Sequence, residues 1–224
     1  MKPEECWYLG VCPKSPDGCS NTCLRYSEML SLVQQSNIPP SKWIPLKLRP
    51  GKDRLAFIRL QEIKDDIENW TKKGGNLYIY SDTFGNGKTS WAIKLMLAYF
   101  NKVWAGNGFR RRGIFVSVPE FIDRNREIIN NRDEEFVKIR EDLLKCDLVI
   151  WDDISSIKLT DFNHAILFNY IDARMLANKA NIFTGNVDYE GMMKNLGGRL
   201  ASRIWNGSEI VQFVDQDKRG VYYD

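Results

Sequence analysis

Residues 76–97 read NLYIYSDTFGNGKTSWAIKLML, and they restrict the fold more than any other stretch of the chain. Leu77-Tyr78-Ile79-Tyr80 is an apolar, β-favouring run of the right length for one buried strand. Small polar residues and Gly85-Asn86-Gly87-Lys88-Thr89 come next, and then Trp91, Ile93, Leu95, Met96 and Leu97 in a helical pattern. Strand, glycine-rich loop and helix, in that order, are the setting of a phosphate-binding loop. Glycines allow backbone N–H groups to curl around an anion, and the helix N-terminus adds its positive end. In such a loop Lys88 reaches the β- and γ-phosphates of ATP, and the Thr89 hydroxyl ligates Mg²⁺. Thr83, Phe84, Gly85, Asn86, Gly87, Lys88, Thr89 and Ser90 are the expected nucleotide contacts. One position departs from the motif: Asp82 stands where its first glycine belongs. That acid either points outward or weakens nucleotide binding.

At 224 residues the chain can hold one α/β core and a small extra module. The hydrophobic fraction, 43%, is ordinary, and no apolar run is long enough to span a bilayer. The opening MKPEECWYLG lacks the apolar core of a secretory leader, so a cytoplasmic location with reduced thiols is expected. A net charge of +3 is too mild to imply nucleic-acid binding by itself, so any such surface must be a local cluster.

Cys6, Cys12, Cys19 and Cys23 crowd together as C-x5-C-x6-C-x3-C, among Pro, Gly, Asp and Asn. So few aliphatic residues could not bury a core unaided, and a tetrahedral Zn²⁺ site would supply the missing folding free energy. The spacing lacks paired CxxC knuckles, and the alternatives are disulfides, which suit the compartment poorly, or scattered structural thiols. Cys146, just before an apolar run, is expected to be a small core residue. Helical spacing over 24–35 ends at Ile38-Pro39-Pro40, which suggests an N-terminal module over 1–40. A Pro- and Gly-containing connector over 41–53 leads to the nucleotide domain, 54–224.

That domain starts with helical periodicity over 54–72, closed by Gly74-Gly75. The link 101–113 carries Lys102 and Arg110-Arg111-Arg112 beside Trp104 and Phe109; it is either a solvated basic turn or a phosphate-tracking surface. A strand over 114–118 and helices over 120–130 and 134–145 follow. Leu148-Val149-Ile150-Trp151 then runs into Asp152-Asp153, as an apolar strand delivering two acids to a ligand crevice. Asp152 is expected to hold Mg²⁺ and Asp153 to polarise the attacking water. A long helix over 161–177 carries His164, the single histidine and so no His-based metal site. The strand 181–184 ends at Gly185-Asn186, where Asn186 can face the γ-phosphate or simply form a turn.

Taken together, GNGKT, VIWDD, IFTGN and LGGRLASRI resemble the AAA+ ATPases that load bacterial replicative helicases, the DnaC/DnaI type; the IstB-type helper ATPases of insertion sequences are similar. The resemblance spans about residues 54 to 220. It implies an AAA+ P-loop fold with a parallel five-stranded sheet flanked by helices and no C-terminal lid domain; the small Cys-rich zinc-binding module in front departs from the family, replacing a larger helicase-binding domain. Arg203 falls on the family's arginine finger, Arg199 beside it in support, and Asn186 on sensor 1. Arg199 and Arg203, four apart on a helix, share one face. The family's role implies ATP hydrolysed at subunit interfaces of a ring or spiral. It also implies partnership with a replicative DNA helicase and single-stranded DNA, and no membrane. Asp153 replaces a common Glu, and the short chain and compact start look like phage-encoded versions, working in the host cytoplasm. Two other functions remain open: an IstB-like transposition helper, and a non-hydrolysing, nucleotide-gated adaptor or inhibitor of replication.

Overall fold

A computed structural model of the chain describes residues 6, 7, 12, 23–43, 48–106, 110–128, 133–156 and 158–216. Strands β1 (Asn76–Tyr80), β2 (Gly113–Ser117), β3 (Leu148–Asp152), β4 (Ala180–Gly185) and β5 (Glu209–Gln212) form one five-stranded sheet in the order β2-β3-β4-β1-β5. Every pairing is parallel. All residues of β3 and β4 are buried, which is why these strands read as continuous apolar runs rather than alternating ones.

Both faces are covered. Side chains alternate along a strand, so Leu77 and Ile79 of β1 point to one side and Tyr78 and Tyr80 to the other. The first face packs on helices α1 (Leu24–Gln35), α2 (Arg54–Asp65), α3 (Ile67–Lys72) and α4 (Lys88–Val103), through Val33, Leu60, Ile67 and Met96 among others. The second packs on α5 (Val118–Glu127), α6 (Glu134–Lys145), α7 (Asp161–Leu176), α8 (Tyr189–Leu196) and α9 (Gly198–Gly207). The result is a three-layer α/β/α core.

Most elements fall within a residue or two of the sequence expectation, with one informative exception. The helix expected over 54–72 is two helices, broken at Asp66 (φ −102°, ψ 20°). There the Asp66 carboxylate accepts a hydrogen bond from Asn69 Nδ2 at 2.7 Å, while the backbone bonds Asp66 N to Glu62 O and Trp70 N to Asp66 O run on across the break. Arg199 and Arg203 do share one helix, α9, as expected. Gly197, at φ 78°, ends α8 and lets α9 start in a new direction.

The chain between α1 and α2 runs past the outer edge of β2, where Ser36 O accepts a hydrogen bond from Phe115 N at 2.7 Å. Met29, Leu32, Val33 and Ile38 belong to the same core cluster as α4 and β1, so α1 is docked on the nucleotide domain. Cys6 and Cys12 pack against that cluster too. Cys6, Cys12 and Cys23 are free thiols, and Cys19 lies outside the described residues. Among the described residues no group of three or more His, Cys, Asp or Glu side chains is placed to hold a metal, so the described thiols do not by themselves form the expected zinc site. Cys146 is 1% exposed, and burial pushes its thiol pKa up, as befits an inert core residue. Among the described residues no helix is long and apolar enough to cross a membrane.

Candidate functional site

β1 ends at Tyr80, and residues 81–87 turn back over the strand end into α4. Gly87 adopts φ 98°, a left-handed conformation that side chains rarely tolerate, and Leu48 lies 3.2 Å from where its Cβ would be. No side chain caps α4 and no acid sits in its first turn, so its leading amides and positive dipole end are left for an anion. Lys88 is buried at the loop's base, its Nζ donating to Thr83 O at 2.9 Å and to Asn86 Oδ1 at 3.2 Å. Thr83 is tied to Ser81 Oγ, and Asn86 Nδ2 donates to both hydroxyls. Phe84 is exposed at the tip, 62% accessible, and Ser90 follows Thr89 in the first turn of α4. Asp82 is exposed as well, so the acid that replaces the motif's first glycine stands in solvent.

The Thr89 hydroxyl donates to Asp152 Oδ1 at 2.8 Å, joining the loop to the end of β3. Thr184, on β4 between them, donates to the same oxygen at 2.7 Å and accepts from Asp153 N at 3.0 Å. Among the described residues Asp153 is one of three non-glycine residues with positive φ, 55°, a conformation that tends to be retained where it aims a side chain. Asn186 N donates to Ser155 Oγ at 3.1 Å. Gly185 beside it has no room for a Cβ, which would lie 2.4 Å from Tyr78 Oη.

These residues fit a triphosphate with its Mg²⁺. Two hard oxygen donors, Thr89 Oγ1 and Asp152 Oδ1, sit in contact at the mouth of a loop with uncapped amides and a buried lysine. When bound, the metal supplies charge neutralisation between the phosphates. Phosphates bound there would meet the uncapped amides of α4 and the buried Lys88, with Asp153 standing at the strand end beside them.

Asp152 carries a testable electrostatic signature. Burial lifts its carboxyl above the usual carboxylate range, against the hydrogen bonds from Thr184 and Thr89, and the Asp153 charge adds to the rise. A raised folded-state pKa means ionisation costs stability. That cost is absent below the unfolded value, ~3.9, and fully present once pH exceeds the folded value. Asp152→Asn keeps an acceptor for both threonines and removes the charge. The metal-free variant should therefore melt higher than wild type at neutral pH, with the gap closing in acid, and its ATP binding should lose dependence on Mg²⁺. A lower neutral-pH melting temperature would contradict this.

Arg199 and Arg203 lie elsewhere. Both are on α9, where Arg203 is ion-paired with Asp172 of α7 and the Arg199 guanidinium lies 4.0 Å from the Phe168 ring centroid. They line a surface groove of about 410 Å³ with Ser202 and Asn206. No described hydrogen bond or ion pair joins either arginine to residues 81–89, Asp152 or Asp153 of the same chain. His164 stacks on Phe168 near this groove, at 6.1 Å between ring centroids.

Three features escaped the sequence reading. Thr184 is one, a plain strand residue by pattern. Asp53 is another. Assigned to the connector, it is buried, and its Oδ1 accepts from Val214 N (2.6 Å) and Asp215 N (3.1 Å) just beyond β5. Asp215 O in turn accepts from Thr83 Oγ1 at 2.8 Å, so this clamp braces the phosphate loop from outside. The third is Arg174, fully buried at the opposite end of the sheet. No local signal marks any of the three.

No family pattern and no curated protein matches this sequence. Solved structures do match in three dimensions. The crystal structure of the DnaC helicase loader superposes with a TM-score of 0.64 at 18% identity, over 78% of this chain and 99% of that one. The crystal structure of DnaI gives 0.58 at 18% identity, over 79% and 95%. AMPPCP-bound DnaA from Aquifex aeolicus gives 0.59 at 20% identity, over 79% of this chain and 51% of that one, so the chain spans about half of the DnaA structure. With its sheet order, phosphate loop and paired strand-end acids, the chain has the α/β P-loop fold of the AAA+ domains of DnaC, DnaI and DnaA.

Proposed function

We propose that the protein is an ATP-dependent loader of a replicative DNA helicase. The observation that carries the reading is the constellation Lys88, Thr89, Asp152, Asp153 and Thr184 at one strand-end crevice, with a second, outward-facing pair, Arg199 and Arg203, on another surface. A site split in this way is completed when the second surface of one subunit meets the crevice of the next. ATP hydrolysis then belongs to a homo-oligomer, a ring or open spiral. Asp153 is the base, Asn186 the polar group facing the γ-phosphate, and Arg203 the charge supplied in trans with Arg199 in support. The exposure of Asp82 favours a hydrolysing enzyme over a non-hydrolysing adaptor, which an acid turned into the loop would have supported.

The overlay on the DnaC helicase loader supports a helicase as partner, and the DnaA structure bound to AMPPCP and single-stranded DNA supports that nucleic acid as the track; the cytoplasm is the location the sequence suggests. Residues 1–40 form the helicase-gripping module in this reading, 41–53 its connector and 54–224 the ATPase. Zn²⁺ on Cys6, Cys12, Cys19 and Cys23 rests on their spacing alone. Metal analysis of the purified protein tests it, with one zinc per chain expected.

The deciding experiment is co-purification with the cognate replicative helicase, with and without ATP, followed by subunit counting. Nucleotide-dependent capture in a defined stoichiometry is expected. Assembly on DNA with no helicase retained would favour the transposition-helper reading instead.

A further inference from the structure

The end of the sheet opposite the nucleotide crevice carries a charge cluster that ATP hydrolysis does not use. All strands are parallel, so the residues entering β2, β3 and β4 gather at one end, and β1 and β3 deliver the phosphate loop and acids at the other. Five-residue strands put roughly 16 Å of sheet between the two ends. At the entry end Arg110, Arg111, Lys138, Lys145 and Lys179 line a groove of about 650 Å³, with Asp142 as the lining acid among the described residues.

Five cations at this end are ion-paired. Asp147 pairs with Arg110 (2.6 Å), Arg112 (2.9 Å) and Lys179 (3.5 Å), and Asp142 with Arg111 at 3.5 Å. Lys145 reaches Glu141 at 3.6 Å on α6, where Lys138 is exposed and shows no ion pair among the described residues. Six cations thus face three carboxylates, a surplus of three charges. The whole chain's formal charge is only +3, so the remainder of the molecule is balanced and the excess sits here.

We propose that this groove seats the phosphodiester backbone of double-stranded DNA, at a site separate from the nucleotide crevice and independent of the hydrolysis reading. Two observations choose a duplex over a single strand. The cations stand on strand entries and on a helix, all but Lys138 pre-set by an acid, and such an array suits a stiff partner with a regular phosphate spacing. Base stacking is the usual second component of single-strand binding. Here Trp104, the described aromatic of the basic link, lies beneath the Arg25 guanidinium, 5.8 Å from it, and does not line the groove.

The test is fluorescence anisotropy of full-length protein on a short labelled duplex and on one of its strands, across a salt series. Lys138→Glu combined with Lys145→Glu should weaken duplex binding by ~10-fold or more at fixed salt. For two lost phosphate contacts the slope of log K against log salt should become shallower by ~1.8. ATP-analogue binding and melting temperature should not move. Asp142→Asn, which adds to the surplus, should tighten the duplex complex. Unchanged duplex affinity and slope in the double variant overturn the proposal. So does a wild type that binds only the single strand, or an equal loss from Lys158→Glu with Lys194→Glu, which would make the effect one of bulk charge.

Discussion

Arg203→Ala is expected to bind ATP as wild type does and to lose ~10³-fold or more of assembly-dependent hydrolysis, within the range of trans-acting arginines. The structure gives the reason for expecting this split. Arg203 is tied to Asp172 at the protein surface, its side chain 40% accessible, and it has no described contact with its own phosphate loop. Removing it should therefore not disturb a subunit's own nucleotide contacts. Its release from Asp172 costs more than the about 0–1 kcal/mol of an exposed pair, since the Asp172 side chain is only 20% accessible. A thousandfold in rate corresponds to ~4 kcal/mol of transition-state stabilisation, so the exchange of partners favours the assembled site. Lys88→Ala should behave in the opposite way and lose nucleotide binding itself. Mixing the two inactive proteins supplies the decisive readout. An interface that takes Lys88 from one and Arg203 from the other is intact, so ATPase activity should return in the mixture. An Arg203→Ala protein as active as wild type, or a mixture that stays inactive, would remove the shared-site mechanism.

What could be foreseen in the sequence was whatever is local. The loop from Ser81 to Lys88 is contiguous, and its glycines, lysine and threonine have to be neighbours in the chain to curl around one anion. Asp152 and Asp153 could be placed because a buried strand announces itself as an apolar run and its end follows automatically. Asp66 shows the limit within a single element. The periodicity of 54–72 is helical throughout, and the backbone of Asp66 (φ −102°, ψ 20°) still divides it. Long-range pairings left no trace at all. Thr184 meets Asp152 from 32 residues away, and Asp53 meets Val214 from 161. Arg203 could be placed on a helix face from its spacing to Arg199, but its partner Asp172 could not, because nothing in α7 distinguishes that aspartate from its neighbours.

Arg174 is the most consequential of these unseen residues, and its removal should cost ~3–5 kcal/mol of folding stability. The side chain is fully buried with no carboxylate hydrogen-bonded to it. Its Nε donates to Asn181 Oδ1 at 2.8 Å, Nη1 to Cys146 O at 3.0 Å and also to Leu143 O, and Nη2 to Ala180 O at 2.6 Å. Burial pulls its pKa down from the usual arginine value. The charge is met by carbonyl dipoles instead, at the C-terminal end of α6, where a cation is electrostatically favoured. Arg174→Met keeps a long apolar stem and removes every donor. It strands the carbonyls of Leu143, Cys146 and Ala180 in a dry site, at ~1–3 kcal/mol for each one left unsatisfied. Part of that sum returns as local relaxation. A total near ~4 kcal/mol is still a large share of the ~5–15 kcal/mol that holds a typical domain folded. Urea unfolding should show the midpoint falling with the slope unchanged. Arg174→Lys, with a compact ammonium in place of the fork, should lose less than Arg174→Met but more than a surface change. A midpoint within error of wild type for Arg174→Met would mean that α6, β3 and β4 are held together by apolar packing alone. The consequence also reaches the other end of the sheet. The strands that Arg174 pins at their starts are the ones that deliver Asp152, Asp153 and Thr184, so a loosened register there should lower nucleotide affinity in a variant that never touches the site.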